Sequence, residues 1–156
     1  MLIRVQKFVV FLSVAIAFLV SGAAQSASVE TPSGYASATV IRAVQKQDRV
    51  EVELRFETDV DGYSGESIYH NPSDASWNDD FYIEVNGKSY PLARSSAGER
   101  LAPDSLALTF CYNTKKNPRV GSWQATFTAP TTPINQITLS LANLPLIKGV
   151  VVKNAL

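Results

Sequence analysis

Histidine and cysteine are almost absent from this chain, and their scarcity excludes several kinds of site. His70 is the only histidine among 156 residues, so a zinc site built from several imidazoles is excluded. Cys111 is the only cysteine, so no intramolecular disulfide can form. We expect Cys111 to be a small buried side chain, with an intermolecular disulfide or a reactive thiol as the alternatives. The fold must therefore depend on its apolar core.

An excess of charge and a catalytic motif are also missing. The chain carries 14 basic and 14 acidic residues, so its net charge predicts no binding to nucleic acid or to an anionic membrane. Gly62-Tyr63-Ser64-Gly65 is one residue short of the nucleophile motif G-x-S-x-G, and His70 with Asp74 is only a local pair. We therefore expect a protein that is not an enzyme.

The one long apolar run lies at the N-terminus and predicts a signal peptide. Arg4 and Lys7 precede Phe8–Val20, a run of 13 residues that is apolar except for one serine, and small residues follow up to Ala27. The small side chains predict cleavage between Ala24 and Ala27, with an uncleaved membrane anchor as the alternative. We expect a periplasmic or secreted protein, without stable membrane insertion after cleavage. Residues 1–27 are then the signal peptide, and residues 28–156 form a single domain.

Alternating apolar and polar residues predict β-strands in most of the remaining chain. The clearest run is Arg49–Thr58, where apolar side chains at every second position face a core. Two short turns, Gln47-Asp48 and Asn86-Gly87, each predict a hairpin, and Pro91 places its strand at a sheet edge. The other candidate strands are Ala36–Gln45, Phe81–Val85, Ser89–Leu92, Leu106–Tyr112, Ser122–Thr128, Gln136–Ala142 and Lys148–Lys153.

About eight such strands, without a sustained helical pattern, predict an all-β fold. The preferred architecture is an immunoglobulin-like antiparallel β-sandwich, and a small β-barrel is the alternative. The predicted core consists of Val52, Leu54, Phe56, Leu108, Phe110, Trp123, Phe127, Leu139 and Leu141.

The C-terminal part of the chain also carries a resemblance. Gly121–Pro130, followed by the alternating run Ile137–Leu141, resembles the last two strands of small exported bacterial immunoglobulin-like domains of unknown function. The resemblance implies the same fold. It implies no activity, because that family has none in common.

Residues 59–80, which we call the acidic segment, carry the candidate functional residues. These 22 residues interrupt the strand pattern, and loops of this length are usually functional or disordered. The segment has six carboxylates and no lysine or arginine, together with aromatic and amide side chains. The candidate binding residues are Asp59, Asp61, Tyr63, Glu66, Tyr69, His70, Asp74, Trp77, Asp79 and Asp80.

Three interpretations of the acidic segment remain open. Its carboxylates and aromatic rings fit a contact surface for another protein or for an extracytoplasmic polar ligand such as a sugar. Asp59, Asp61 and Glu66 are candidate calcium ligands, although the spacing is not that of an EF-hand, and no other cofactor is expected. The third interpretation is a solvated loop whose Tyr69 and Trp77 pack onto the end of the domain.

A short basic turn follows the predicted strand that contains Cys111. Lys115, Lys116 and Arg119 form a candidate secondary patch for phosphate or for an acidic partner. Its sign is opposite to that of the acidic segment, which predicts a domain with ends of opposite charge.

The resulting functional prediction is an exported, non-enzymatic binding or interaction module that uses the acidic segment. One alternative is a structural or assembly subunit that adds strands at the Pro91 edge or at Lys148–Lys153. Another alternative is an immunity-type inhibitor that occupies the basic cleft of a toxic enzyme.

Overall fold

The structure is a computed structural model, and it describes residues 27–109 and 118–155. This part of the chain consists mostly of β-strands, with one short α-helix. The strands are β1 (Ser28–Glu30), β2 (Ser37–Lys46), β3 (Arg49–Glu57), β4 (Ser67–His70), β5 (Phe81–Val85), β6 (Lys88–Pro91), β7 (Ser105–Ala107), β8 (Arg119–Thr128), β9 (Gln136–Leu141), β10 (Ile147–Val151) and β11 (Lys153–Asn154). The helix, α1, comprises Asp74–Asp80.

The strands form two larger sheets and one small sheet. The first has the order β1-β2-β3-β8, with β11 beside β2, and the second has the order β10-β9-β5-β6. Strands β4 and β7 form the third. The pairs are antiparallel except for β2 and β11, which run parallel. The described strands form no closed barrel, so the barrel alternative is wrong for them, and the all-β fold class is confirmed.

Strand β3 follows the alternation that its sequence predicts. Val50, Val52, Leu54 and Phe56 have no exposed surface, whereas the residues between them face outward. β3 lies between β2 and β8, and pairs with both along nearly its whole length. It is therefore a central strand.

Both predicted hairpin turns are confirmed. Strand β2 ends at Lys46 and β3 begins at Arg49, with Gln47 at a φ of 55°. Asn86 and Gly87 connect β5 to β6 with φ angles of 51° and 79°, as a type I′ turn requires. The strand that returns from this turn lies at the edge of its sheet, as Pro91 predicts.

One apolar cluster joins the two larger sheets. Side chains from β3 and β8 pack in the same cluster as those from β5 and β9. The predicted core residues that are confirmed as buried are Val52, Leu54, Phe56, Leu108, Trp123, Phe127, Leu139 and Leu141. Five predictions fall outside the described residues, namely the signal peptide up to residue 26, Phe110, Cys111, Lys115 and Lys116.

The acidic segment differs from the long irregular loop that its sequence predicts. It contains β4 and the helix α1, which is seven residues long. Ser73 caps the helix, because its side-chain oxygen accepts a hydrogen bond from the Ser76 amide. A helix this short buries only Trp77, so its sequence shows no helical periodicity. Within the described residues, no helix is long and apolar enough to span a membrane.

Candidate functional site

Hydrogen bonds to Glu66 connect the first half of the acidic segment to the turn between β1 and β2. Its Oε1 accepts hydrogen bonds from Thr31 Oγ1 and Ser33 Oγ, both at 2.5 Å, and from the Tyr63 hydroxyl at 2.8 Å. The Ser33 amide donates to Oε2 at 3.1 Å. Glu66 therefore holds two stretches of chain together.

These contacts change the acidity of both Glu66 and Tyr63. Partial burial raises the pKa of the Glu66 carboxyl, but the hydrogen bonds from Ser33, Thr31 and Tyr63 outweigh burial and hold its pKa below the usual value. Burial, followed by the hydrogen bond to Glu66, raises the pKa of Tyr63 to about 12. Glu66 is thus a charged acceptor and Tyr63 a neutral donor at neutral pH.

The second half of the acidic segment is held by aromatic side chains in the core. Tyr69 meets Phe81 and Trp77 edge-on, with ring centroids 5.0 and 5.9 Å apart, and Trp77 lies 4.4 Å from Phe81. The Tyr69 hydroxyl accepts a hydrogen bond from Trp123 Nε1 at 2.8 Å and donates to the Pro103 carbonyl at 2.7 Å. Burial raises the pKa of Tyr69 to about 12.

Arg100 fixes the outer side of α1. Its guanidinium donates to Asp74 Oδ1 at 2.7 Å and lies 5.3 Å from the centroid of the Trp77 ring. Asp74 is in the first turn of the helix, where a carboxylate also interacts favourably with the helix dipole. Arg100 thus contacts both the Asp74 carboxylate and the Trp77 ring of the acidic segment.

The structure separates the predicted site residues into an interior group and an exposed group. Tyr63, Tyr69 and Trp77 are buried, so these rings are not part of a contact surface as predicted. Tyr69 and Trp77 pack onto the domain, as the third interpretation of the segment expects. The exposed residues of the set are Asp59, Asp61, His70, Asp74 and Asp79, while Glu66 and Asp80 are half-buried.

The candidate calcium ligands do not form a recognisable metal site. Across residues 27–109 and 118–155, no group of three or more histidine, cysteine, aspartate or glutamate side chains has an arrangement that could hold a metal ion. Glu66 is already an acceptor for Thr31, Ser33 and Tyr63. The calcium hypothesis stays a prediction.

Sequence reasoning missed Tyr35, whose ring is the exposed aromatic surface at this end of the domain. The residue is 56% exposed and lines a groove of about 400 Å³ together with Glu30, Glu57, Asp59 and Pro118. Thr58 Oγ1 donates to the Tyr35 carbonyl, and the ring packs edge-on against Tyr63 at 6.0 Å. The available signal was the turn sequence Pro32-Ser33-Gly34, which places the next residue at the surface.

The end of the basic turn lies beside the start of the acidic segment. Arg119 is paired with Glu57 in the ladder between β3 and β8, and the Thr58 amide donates to the Pro118 carbonyl at 2.8 Å. The basic turn and the acidic segment were predicted to lie at opposite ends of the domain. That prediction is wrong for Arg119, which lies close to the acidic segment.

Comparison of this chain with protein-family models, with curated proteins and with solved structures gave no match.

Proposed function

We propose that this protein is an exported, non-enzymatic binding module whose contact surface is the acidic segment together with Tyr35. The single observation that carries the proposal is the way in which the segment is held. Glu66 fixes its first half, and Tyr69, Trp77 and Arg100 fix its second half. A surface that is ordered before binding loses less conformational entropy when a partner arrives.

The exposed charge of this surface favours one kind of partner. Asp59 and Asp79 project into solvent from a segment that has no lysine or arginine. Tyr35 lines the neighbouring groove together with Glu30, Glu57 and Asp59, of which Glu57 is paired with Arg55 at 3.2 Å. Aromatic faces and carboxylates both attract lysine and arginine side chains, so a protein with a basic surface is the preferred partner. An extracytoplasmic polar ligand is the second choice.

The proposed architecture is an immunoglobulin-like β-sandwich within residues 28–156. The shared core of the two larger sheets supports this, because two sheets that pack face to face bury one common layer of side chains. Export to the periplasm or beyond the cell rests on the signal peptide that residues 1–27 predict.

Assembly by strand addition has less support at the Pro91 edge, because that edge already contacts β8, whereas β10 at the other candidate edge pairs only with β9 among the described strands. The Thr128 hydroxyl donates to the Pro91 carbonyl at 3.1 Å, and Leu92 forms a β-bridge with Phe127. At Lys148–Lys153, β10 pairs with β9, and β11 pairs with β2. An immunity-type inhibitor would use the same acidic surface. It would differ from a general binding module in its partner, which would be a toxic enzyme with a basic cleft.

The experiment compares the exported chain with the double variant Asp59→Asn and Asp79→Asn. Each protein is immobilised and exposed to the extracytoplasmic proteins of the source cells, and the affinity of any captured protein is then measured with purified components. We expect the variant to bind several-fold more weakly at low salt, with the difference shrinking as salt rises. Tyr35→Ala should weaken binding through the loss of the exposed ring.

The matched control is the double variant Asp48→Asn and Glu99→Gln, which removes the same charge from exposed positions outside the segment. It should bind as tightly as the unmodified chain. If no protein is captured, or if the two double variants bind alike, the acidic segment is not the contact surface.

A further inference from the structure

The first sheet has a gap at its edge beside β2. Strand β3 pairs with one side of β2 along its whole length, so β1 and β11 both lie on the other side. There β1 pairs with β2 as far as Thr39, and the Val40 amide donates to the Ala27 carbonyl at 3.0 Å. Strand β11 begins to pair at Val44. Between these contacts, residues 41–43 of β2 have no strand partner on this side within the described chain.

The second sheet ends at the same gap with the open edge of β10. Among the described strands, β10 pairs only with β9. After β10 the chain crosses to the first sheet, because the Val152 amide donates to the Asn135 carbonyl next to β9, whereas the Ala155 amide donates to the Gln45 carbonyl in β2. A groove of about 310 Å³, which we call the β2–β10 groove, lies between the two strands. It is lined on its two sides by residues 40–44 and 149–151.

The floor of the β2–β10 groove consists of apolar side chains that belong to the core. Val40 pairs with Leu54 of β3, and Ala43 pairs with Val52. Both β3 side chains face the core, and directly paired residues share a face of the sheet. Val150 of β10 is buried in the same apolar cluster. An occupant of the groove must therefore present apolar side chains towards the interior.

The outer rim of the groove carries exposed apolar side chains next to two cations. Ile41 and Val151 are 45% and 59% exposed, and they are two of the four large apolar side chains that are exposed in the described chain. Arg42 and Lys153 also line the groove, and its described lining holds no carboxylate. Arg42 lies 3.7 Å from Glu51, whereas Lys153 has no ion pair in the described chain. Exposed apolar surface is typical of interaction sites, and the cations favour an acidic partner.

We propose that the β2–β10 groove binds an extended segment of a partner protein in which apolar and acidic side chains alternate. Successive side chains of a strand point to opposite faces, so the apolar ones pack on the floor and the acidic ones lie beside Arg42 and Lys153. The main chain of the segment pairs with the open edges of β2 and β10, as in other cases of strand addition.

The length of the groove limits the paired part of this segment to about three residues. Strand β1 already lies beside β2 up to Ala27, so the space next to β2 accommodates one strand. Beyond Ala27, residues 41–43 of β2 remain before β11 begins, which corresponds to roughly 10 Å of strand. A segment this short makes few backbone hydrogen bonds, so we expect weak binding that depends on the two cations.

The test is a titration of the ¹⁵N-labelled exported chain, followed by NMR, with a synthetic pentapeptide that is acetylated and amidated at its ends. Valine and glutamate alternate in this peptide, with glutamate at the second and fourth positions, and a second peptide carries lysine in place of glutamate. We expect the glutamate peptide to shift amide signals of residues 40–44 and 149–153, and to leave the signals of α1 unchanged. The lysine peptide should shift none of them, and added salt should weaken binding of the glutamate peptide.

Lys153→Gln removes one cation from the rim of the groove. Because the Lys153 side chain is exposed and makes no ion pair in the described chain, the fold should be unaffected. The affinity for the glutamate peptide should fall several-fold. Lys148→Gln is the matched control, since Lys148 is an exposed cation on β10 that does not line the groove. It should leave the affinity nearly unchanged.

The proposal is overturned if the glutamate peptide shifts no signals at millimolar concentration, or if the shifts lie elsewhere. It is also overturned if Lys153→Gln, with an unchanged spectrum in the free state, binds as tightly as the original chain. If the peptide binds only after the chain is shortened to begin at Ala27, the occupant is the preceding part of the chain, and the proposal fails. The groove shares no residue with the acidic segment or with the Tyr35 groove, so its failure leaves the proposed function standing.

Discussion

The contacts of Glu66 make a strong prediction about stability. Glu66→Gln keeps the size of the side chain but removes its charge, so the hydroxyls of Thr31, Ser33 and Tyr63 lose a charged acceptor. A hydrogen bond to a charged group contributes about 1.5–3 kcal/mol, and Glu66 is only half-buried. Because water screens the group and the bonds share one carboxylate, we expect a loss of about 1–2 kcal/mol rather than the sum.

The pH dependence of this loss identifies its cause. Since the pKa of folded Glu66 lies below the usual value of 4.5, its charge stabilises the fold above that value. This stabilisation is lost as the pH falls through the pKa of the folded state. The variant should therefore be less stable than the original chain at pH 7, and the gap should narrow in acid.

Urea denaturation at a series of pH values measures both effects. Glu99→Gln is the control, because the Glu99 side chain is exposed and has no hydrogen-bond partner or ion pair among the described residues. It should leave the free energy of unfolding unchanged to within about 0.5 kcal/mol. If Glu66→Gln unfolds at the same urea concentration as the original chain at pH 7, the hydrogen bonds between Glu66 and the turn that contains Thr31 and Ser33 do not stabilise the fold.

Two further predictions concern the same end of the domain. Tyr69→Phe should make the stability of the protein depend less on pH above pH 10. The fold raises the pKa of Tyr69 to about 12, so the neutral phenol stabilises the original chain. This stabilisation is lost as the pH rises from about 10 to about 12, and the variant has none to lose. Circular dichroism melts between pH 8 and pH 12 would measure it, and parallel curves for the two proteins would contradict it. Added calcium should leave the melting temperature unchanged, since Glu66 is occupied by its hydrogen-bond donors. A rise that Asp59→Asn abolishes would instead support the calcium hypothesis.

The sequence predicts the strands of the large sheets well, because their alternation is set by burial on one face. In β3 every second residue is apolar, and the same residues are buried. The turn at Asn86-Gly87 is equally predictable, since few residue pairs accept two positive φ angles. The shortest elements were missed. Strands β1, β4 and β11 have two to four residues each, too few for a pattern to stand out.

The candidate site is less predictable, because its contacts join residues that are far apart in the chain. Glu66 and Thr31 are separated by 35 positions, and nothing near either residue indicates the other. The groove around Tyr35 depends in the same way on the approach of Pro118 to Thr58. Composition shows that residues 59–80 are acidic and aromatic, but it does not show which side chains face the core.

The direction of the side chains changes what the acidic segment can bind. A carboxylate loses hydration when it is buried, so the aspartates stay outside, whereas the Trp77 and Tyr69 rings gain from burial. In the function that we propose, a partner recognises the acidic segment through its exposed carboxylates and not through the buried rings of Tyr69 and Trp77. Tyr35 supplies an exposed ring, and it lies in the same groove as Asp59. Because one ring beside several carboxylates suits a cation better than an apolar ligand, binding at this end should weaken as the salt concentration rises.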